Sequence, residues 1–282
     1  MTKRRSRTNP QLAEDNEWLR RLDRISLAVD AWRKRAENPT SPEHGSSLAA
    51  DSMEGLSVEN PIWYSMCISS EHLDFAIDAM RATSTMYPTA YMTVARTAFV
   101  AAVNAVWMLA PSARQERRER ALKLRADDLR VQVTSFRDMK IPDGKPQEAR
   151  ADLLDQLRER QASLQSVAKS LSMTEDVTKI RFNQTKAIDR VAEHLHGVDD
   201  DLLIGATQSV WRSGSAAAHA QYHFGIMRVD RNETVRDAGG GSVVRLRGDL
   251  DSDVGPALAA AAMTLSEAFR LYDLRRVSHD RT

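Results

Sequence analysis

The segment Trp211 to Ala220 carries the residues of this sequence with the most chemical promise. It reads WRSGSAAAHA and places Arg212, Ser215 and His219 at helical spacing. Residues three, four and seven apart on an α-helix share a face, so we expect these side chains to form one stripe. Arg212 and His219 start about 10 Å apart along the helix axis, too far for direct contact. A second copy of the stripe, related by a two-fold axis, would close this gap.

An arginine and a histidine beside a polar groove suit cleavage of RNA without a metal ion. RNA brings its own nucleophile, the 2′-hydroxyl. Histidine serves as general acid or base near neutral pH, and arginine carries a fixed charge for the negative oxygens of the transition state. The alternative is a helix packing motif with an incidental histidine, in which Gly214 and Ala216 to Ala218 allow close helix contact. Spacing alone favours the packing motif, because an arginine and a histidine with six residues between them form a loose pattern.

A second group of candidates lies in the segment Ser112 to Arg130, which has seven basic and four acidic side chains. Its net positive charge makes Arg117, Arg120 and Lys123 candidates for contact with an RNA backbone. The favourable spacing of Glu116 and Arg120 equally fits a solvated helix face.

Arg96 and Ser213 complete the candidate substrate-binding residues. Arg96 lies in an apolar helix, where a cation needs a carboxylate partner or a ligand. A structural ion pair is the simpler explanation, and Arg96 becomes a substrate contact if it faces a cleft. Ser213 directly follows the arginine of the stripe.

Several other chemistries have no support in the sequence. The segment Asp249 to Asp253 begins like a calcium loop but lacks the required glycine and glutamate. The glycines at 239–241 lack the lysine and serine or threonine of a phosphate-binding loop. His194 and His196 diverge by about 200° on a helix, which argues against a shared metal. We therefore expect neither a metal nor another cofactor.

The elements that must position these residues are predicted to be mostly helices. Apolar periodicity and proline breaks predict helices over 11–37, 61–85, 88–109, 112–139, 147–170, 183–196, 199–220 and 254–276. Ser112 and Asp199 are the predicted N-caps of two of them. The segments His223 to Val229 and Ser242 to Arg247 predict the strands of a β-hairpin. The predicted fold class is all-α, as one helical domain over 11–278 with a hairpin insertion at 223–250.

Composition and charge limit the partners and the compartment. The 40 basic residues nearly balance the 39 acidic ones, so polyanion binding must come from a local patch. Residues 1–10 form a basic segment that predicts a disordered tail or, alternatively, a nucleic-acid arm. The single cysteine, Cys67, excludes an internal disulfide framework and favours a reducing, cytoplasmic location. No stretch of 18 apolar residues occurs, so no membrane partner is expected. The abundance of alanine and arginine indicates a bacterial source.

The arginine and histidine of the stripe resemble the signature of the HEPN superfamily, an arginine followed by four to six residues and a histidine. The string WRSGSAAAH is also similar to HEPN-like bacterial proteins with an aromatic-Arg-x-x-Ser-x-x-Ala-His pattern. The apolar helix from Arg96 to Pro111, followed by the arginine-rich segment, adds to this resemblance. It covers roughly Ser70 to Tyr222. Two positions depart from it: Ser213 replaces the Asn, Asp or His common in active members, and Gln221 replaces a tyrosine of some toxins.

This resemblance implies a helical bundle that forms a homodimer with one composite site. It also implies a metal-independent endoribonuclease in a toxin–antitoxin or anti-phage system, with an antitoxin or regulatory protein as a further partner. Arg212 and His219 carry over as the catalytic pair, with Ser215 as a secondary hydrogen-bonding group. A non-catalytic module that binds RNA, a nucleotide or a protein is the alternative. A DNA-binding regulator that uses the basic tail is a third hypothesis.

Overall fold

The computed structural model describes residues 17–236, 239 and 242–278. The predicted basic tail at 1–10 lies outside these residues. Helices dominate the described chain, which confirms the predicted all-α class. The helices are α1 (Glu17–Glu37), α2 (Glu59–Thr83), α3 (Ala90–Leu109), α4 (Arg114–Asp138), α5 (Lys145–Ser170), α6 (Gln184–His196), α7 (Asp201–Ala218), α8 (Tyr222–Ile226) and α9 (Gly255–Arg276).

Two short strands, β1 (Val229–Arg236) and β2 (Ser242–Leu246), pair antiparallel between α8 and α9. The first predicted strand, His223 to Val229, was misplaced, because His223 to Arg228 form α8 and a turn and the strand begins only at Val229. Phe224 is buried on this short helix. The alternation of apolar and polar residues that predicted a strand here instead reflects one buried aromatic ring within a single helical turn. One turn of π-helix, Leu250–Val254, leads from the hairpin into α9.

The chain divides into two compact units. Unit 1 comprises Met1–Thr40 (described from Glu17), Ser65–Val106 and Ile188–Phe269. Unit 2 comprises Ser41–Tyr64, Trp107–Ala187 and Arg270–Thr282 (described to Ser278). The single domain over 11–278 stays a prediction. The Arg212 to His219 stripe and Arg96 belong to unit 1, whereas the basic helix α4 belongs to unit 2.

Helix α3 is the most apolar helix of the described chain. It is long and apolar enough to cross a membrane, yet 61% of the relevant window is buried inside the protein. Ala95, Ala98 and Phe99 are fully buried. Burial of this kind is typical of the core helix of a soluble protein.

The predicted N-caps were each one residue away from the observed ones. Helix α4 is capped by Ala113, which has no side-chain hydrogen bond to offer. The carbonyl of Ser112, the predicted cap, instead accepts a hydrogen bond of 2.7 Å from the Arg117 guanidinium. Helix α7 is capped by Asp200 rather than Asp199, through a hydrogen bond of 3.0 Å from the Leu203 amide.

Candidate functional site

The candidate site lies on the last two turns of α7 and on the cap that ends the helix. His219 is the C-cap residue, and its amide still donates to the Ser215 carbonyl at 3.0 Å. Beyond it, the Ala220 amide donates to Ala217 and the Gln221 amide donates to Ala216. Ala220 has a φ of 50°, so these bonds form a Schellman motif with alanine in the left-handed position. The cap therefore fixes the backbone of His219 to the end of α7.

The predicted stripe is present on the outer surface of α7. Arg212 and His219 are exposed and Ser215 is half-buried. Helical geometry places the three side chains within about 60° of one another around the axis. The side chains of Arg212 and His219 form no hydrogen bond or ion pair with the residues that the structure describes. Both charged or titratable groups are thus free to meet a ligand.

The opposite face of α7 is held against α3 at Gly214. Gly214 follows Arg212 by two residues and therefore lies about 200° further round the helix. A Cβ atom added to Gly214 would stand 2.5 Å from the Arg96 Cβ and 3.0 Å from the Met92 carbonyl oxygen. Only glycine permits this close approach, which leaves the stripe of Arg212 and His219 facing away from α3.

A matched pair of glycine substitutions tests this contact. Gly214→Ala should destabilise the protein by about 1–3 kcal/mol, because the added methyl group overlaps Arg96 and α3 backbone. Gly205→Ala, on the same helix, should stabilise the protein by about 0.5–1 kcal/mol, because nothing lies within 4 Å and alanine favours helix. Urea unfolding followed by circular dichroism measures both changes. Equal effects of the two substitutions would contradict the close crossing at Gly214.

Arg96, on α3, contacts the face of α7 that carries Gly214 and so lies apart from the stripe. It is half-buried, it forms no ion pair with the described residues, and its Nε is buried without a hydrogen-bond partner. The ion pair expected for Arg96 is therefore not found in the described part of the chain. The Nε1 of Trp211 is likewise buried and unpartnered. Ser213, the other residue of the segment proposed to contact substrate, is half-buried.

The predicted role of Arg117 is wrong, because this residue is 2% exposed and ion-paired. Its Nε and one terminal nitrogen bind both oxygens of Asp51, at 2.5 Å and 2.6 Å. The remaining donors reach Ser47 and the carbonyls of Pro111 and Ser112. All five N–H groups are engaged, so Arg117 cannot contact an RNA backbone.

Arg120 and Lys123 differ from Arg117 in their surroundings. Arg120 donates to the Trp107 carbonyl and to Glu116 at 2.6 Å each, and lies over the Trp107 ring at 5.1 Å. Its side chain is 18% exposed, so it is largely occupied in stabilising unit 2. Lys123 is half-buried and has no ion pair with a described residue. Arg117 and Arg120 therefore mainly stabilise unit 2. Of the three residues predicted to contact an RNA backbone, Lys123 remains a candidate.

The two neighbouring histidines of α6 contact different partners. The Nε2 atom of His194 lies 2.7 Å from Glu267 on α9, and that of His196 lies 3.5 Å from Thr207 on α7. The described residues contain no group of three His, Cys, Asp or Glu side chains arranged to hold a metal ion.

Two residues of interest escaped the sequence analysis. Asp51 lies between the first two predicted helices, and nothing local indicates that it is fully buried beneath Arg117. Tyr222 is 82% exposed at the start of α8. Its position shortly after His219 was visible in the sequence, but its exposure depends on the burial of Phe224.

No family model, curated protein or solved structure matches this chain.

Proposed function

We propose that the protein is a metal-independent endoribonuclease of HEPN type that acts as a homodimer. The observation that supports this most is the exposed stripe of Arg212, Ser215 and His219, whose arginine and histidine have no partner in the described residues. A stripe that served only helix packing would be covered by another helix. Here Gly214 fills that packing role on the opposite face.

The stripe supplies the groups that RNA cleavage requires. The 2′-hydroxyl oxygen attacks the adjacent phosphorus and loses its proton, the bond from phosphorus to the 5′-oxygen breaks, and that oxygen gains a proton. The products are a 2′,3′-cyclic phosphate and a 5′-hydroxyl. His219 exchanges one of these protons as general base or acid. Arg212 stabilises the charge on the non-bridging oxygens, and Ser215 donates a further hydrogen bond.

A dimer completes the site because the two main groups are about 10 Å apart on one helix. Two α7 helices that cross antiparallel, with the two-fold axis between Ser215 and Ala216, place Arg212 opposite His219 of the partner subunit. A two-fold interface repeats this pairing, so the dimer holds two equivalent sets.

The remaining candidates take secondary roles in this proposal. Arg96 is a half-buried cation on the side of α7 opposite the stripe, so its charge can act on the substrate backbone only at a distance. Ser213 is a further candidate contact beside the stripe. Within unit 2, Lys123 is a separate candidate for contact with an RNA backbone, whereas the guanidinium of Arg120 is engaged by Trp107 and Glu116. A cytoplasmic toxin or anti-phage effector, restrained by an antitoxin or regulatory protein, is the biological setting that the resemblance implies.

Cleavage of RNA in EDTA tests the proposed chemistry. The protein should cut a single-stranded RNA in the presence of excess EDTA, because neither His219 nor Arg212 needs a metal. Replacement of the nucleotide 5′ to the cut by its 2′-deoxy counterpart should abolish the cut at that position, because the nucleophile is gone. Gel analysis of end-labelled RNA measures both. Cleavage of the 2′-deoxy position at an unchanged rate would contradict the proposal.

A non-catalytic binding module is the second candidate function, and one observation favours it. Tyr222 and Met227, 82% and 79% exposed, present large apolar side chains to solvent shortly after His219. Surfaces of this kind bind protein or nucleic-acid partners without chemistry. In that case His219→Ala leaves the cellular effect of the protein intact.

A further inference from the structure

The short helix α8 is held within unit 1 by its buried residue Phe224 and by Arg228. Phe224 is 3% exposed, and the Arg228 guanidinium lies 3.5 Å from the centre of its ring. Arg228 also binds the Asp253 carboxylate at 2.5 Å and donates to the Phe224 carbonyl at 3.3 Å. At its start, α8 follows directly on the hydrogen-bonded cap of α7. The backbone of α8 is therefore held at both ends.

Tyr222 projects from the outer side of this fixed helix. It precedes Phe224 by two residues, which places it about 200° away around the axis. Its ring is 82% exposed and has no hydrogen bond or ring contact with the described residues. Tyr222 lies three positions after His219, with two residues between them, so their Cα atoms are at most about 10 Å apart. An exposed aromatic ring is thus present on the residues that directly follow the proposed catalytic histidine.

We propose that Tyr222 is the stacking platform for an unpaired nucleobase next to the scissile phosphate, so that the substrate is single-stranded RNA. This inference rests on the proposed ribonuclease function. Aromatic side chains stack on bases of any identity, and only single strands, loops and bulges offer a base face that is not already stacked. Tyrosine loses little conformational entropy when it binds, because it has two side-chain torsions. The platform positions the RNA and takes no part in proton transfer.

Binding of a cleavage-resistant RNA tests this role apart from catalysis. The probe is a short, unstructured, mixed-sequence RNA with 2′-O-methyl groups, titrated with the full-length protein at fixed salt and followed by fluorescence anisotropy. Tyr222→Ala should weaken binding by about 5- to 100-fold. Tyr222→Phe and Tyr222→Trp should bind within about two-fold of wild type, because they keep the ring. Tyr64→Ala is the matched control, since Tyr64 is also exposed, at 68%, on α2.

The substrate can be altered in the same way as the protein. The wild-type protein should bind a fully paired duplex of the same sequence, or a strand with abasic positions, about as weakly as Tyr222→Ala binds the intact strand.

Two results would overturn the inference and leave the ribonuclease proposal standing. One is unchanged RNA affinity of Tyr222→Ala alongside loss of cleavage in His219→Ala. The other is a change of Tyr222→Ala from dimer to monomer in light scattering, which would make this surface a protein interface. In contrast, RNA cleavage by the His219→Ala variant at the wild-type rate would contradict the ribonuclease proposal, whatever the binding result.

Discussion

Replacement of His219 by alanine is expected to lower the rate of RNA cleavage by about 10²- to 10⁴-fold, because a positioned general acid or base contributes that much. His219 is exposed at the C-cap of α7, so its removal leaves the packing of the helix unchanged. Initial rates of cleavage in EDTA measure the loss. Unfolding in urea should show the same stability as wild type.

His223→Ala is the matched control for this loss. His223 is also exposed and lies four residues further along the chain, in α8. It does not share the stripe, so cleavage should stay within about three-fold of wild type. Equal losses in the two variants would indicate a general effect on this surface rather than a catalytic role of His219.

Replacement of Asp51 by alanine is expected to destabilise the protein by about 3–5 kcal/mol, the second large effect. Asp51 is fully buried and binds Arg117 through both carboxylate oxygens. Its loss leaves the Arg117 charge buried and uncompensated. Nearby, burial lowers the pKa of Arg275, the Arg117 charge lowers it further, and Asp51 raises it. Removal of Asp51 thus also removes the negative charge that stabilises the protonated form of Arg275.

Urea unfolding of Asp51→Ala and of two comparison variants measures this effect. Asp155→Ala breaks a solvent-exposed ion pair with Arg158 and should cost less than about 1 kcal/mol. The double variant with Asp51→Leu and Arg117→Met should recover much of the loss, because it removes both charges. A cost below about 1 kcal/mol for Asp51→Ala would show that the pair is not a main stabilising contact of unit 2.

The helices and the stripe could be predicted because both depend on the types and spacing of residues that are close in the sequence. Asp200 and Asp201 begin α7 and the small residues before His219 continue it, so spacing alone placed Arg212, Ser215 and His219 on one face. The stripe needed no knowledge of distant residues. Its exposure was not predictable, since it depends on the contact of Gly214 with Arg96 in α3.

The errors arose where a distant residue decides the environment. Arg117 resembled the other arginines of its helix, but its burial follows from a carboxylate 66 residues away. Likewise, the segment from His223 to Val229 resembled a strand, whereas Phe224 packs against Arg228, which is held by Asp253 25 residues further along the chain. In both cases a long-range contact outweighed the local pattern.

Mixing of two inactive variants tests the central claim most directly. Arg212→Ala and His219→Ala are each expected to lose cleavage activity. After the two are unfolded together and refolded, half of the dimers should be mixed, and each mixed dimer holds one intact pair of Arg212 and His219 from different subunits. Activity should then recover to about a quarter of wild type. No recovery, in a sample shown by mass to contain mixed dimers, would contradict a composite site shared between two α7 helices.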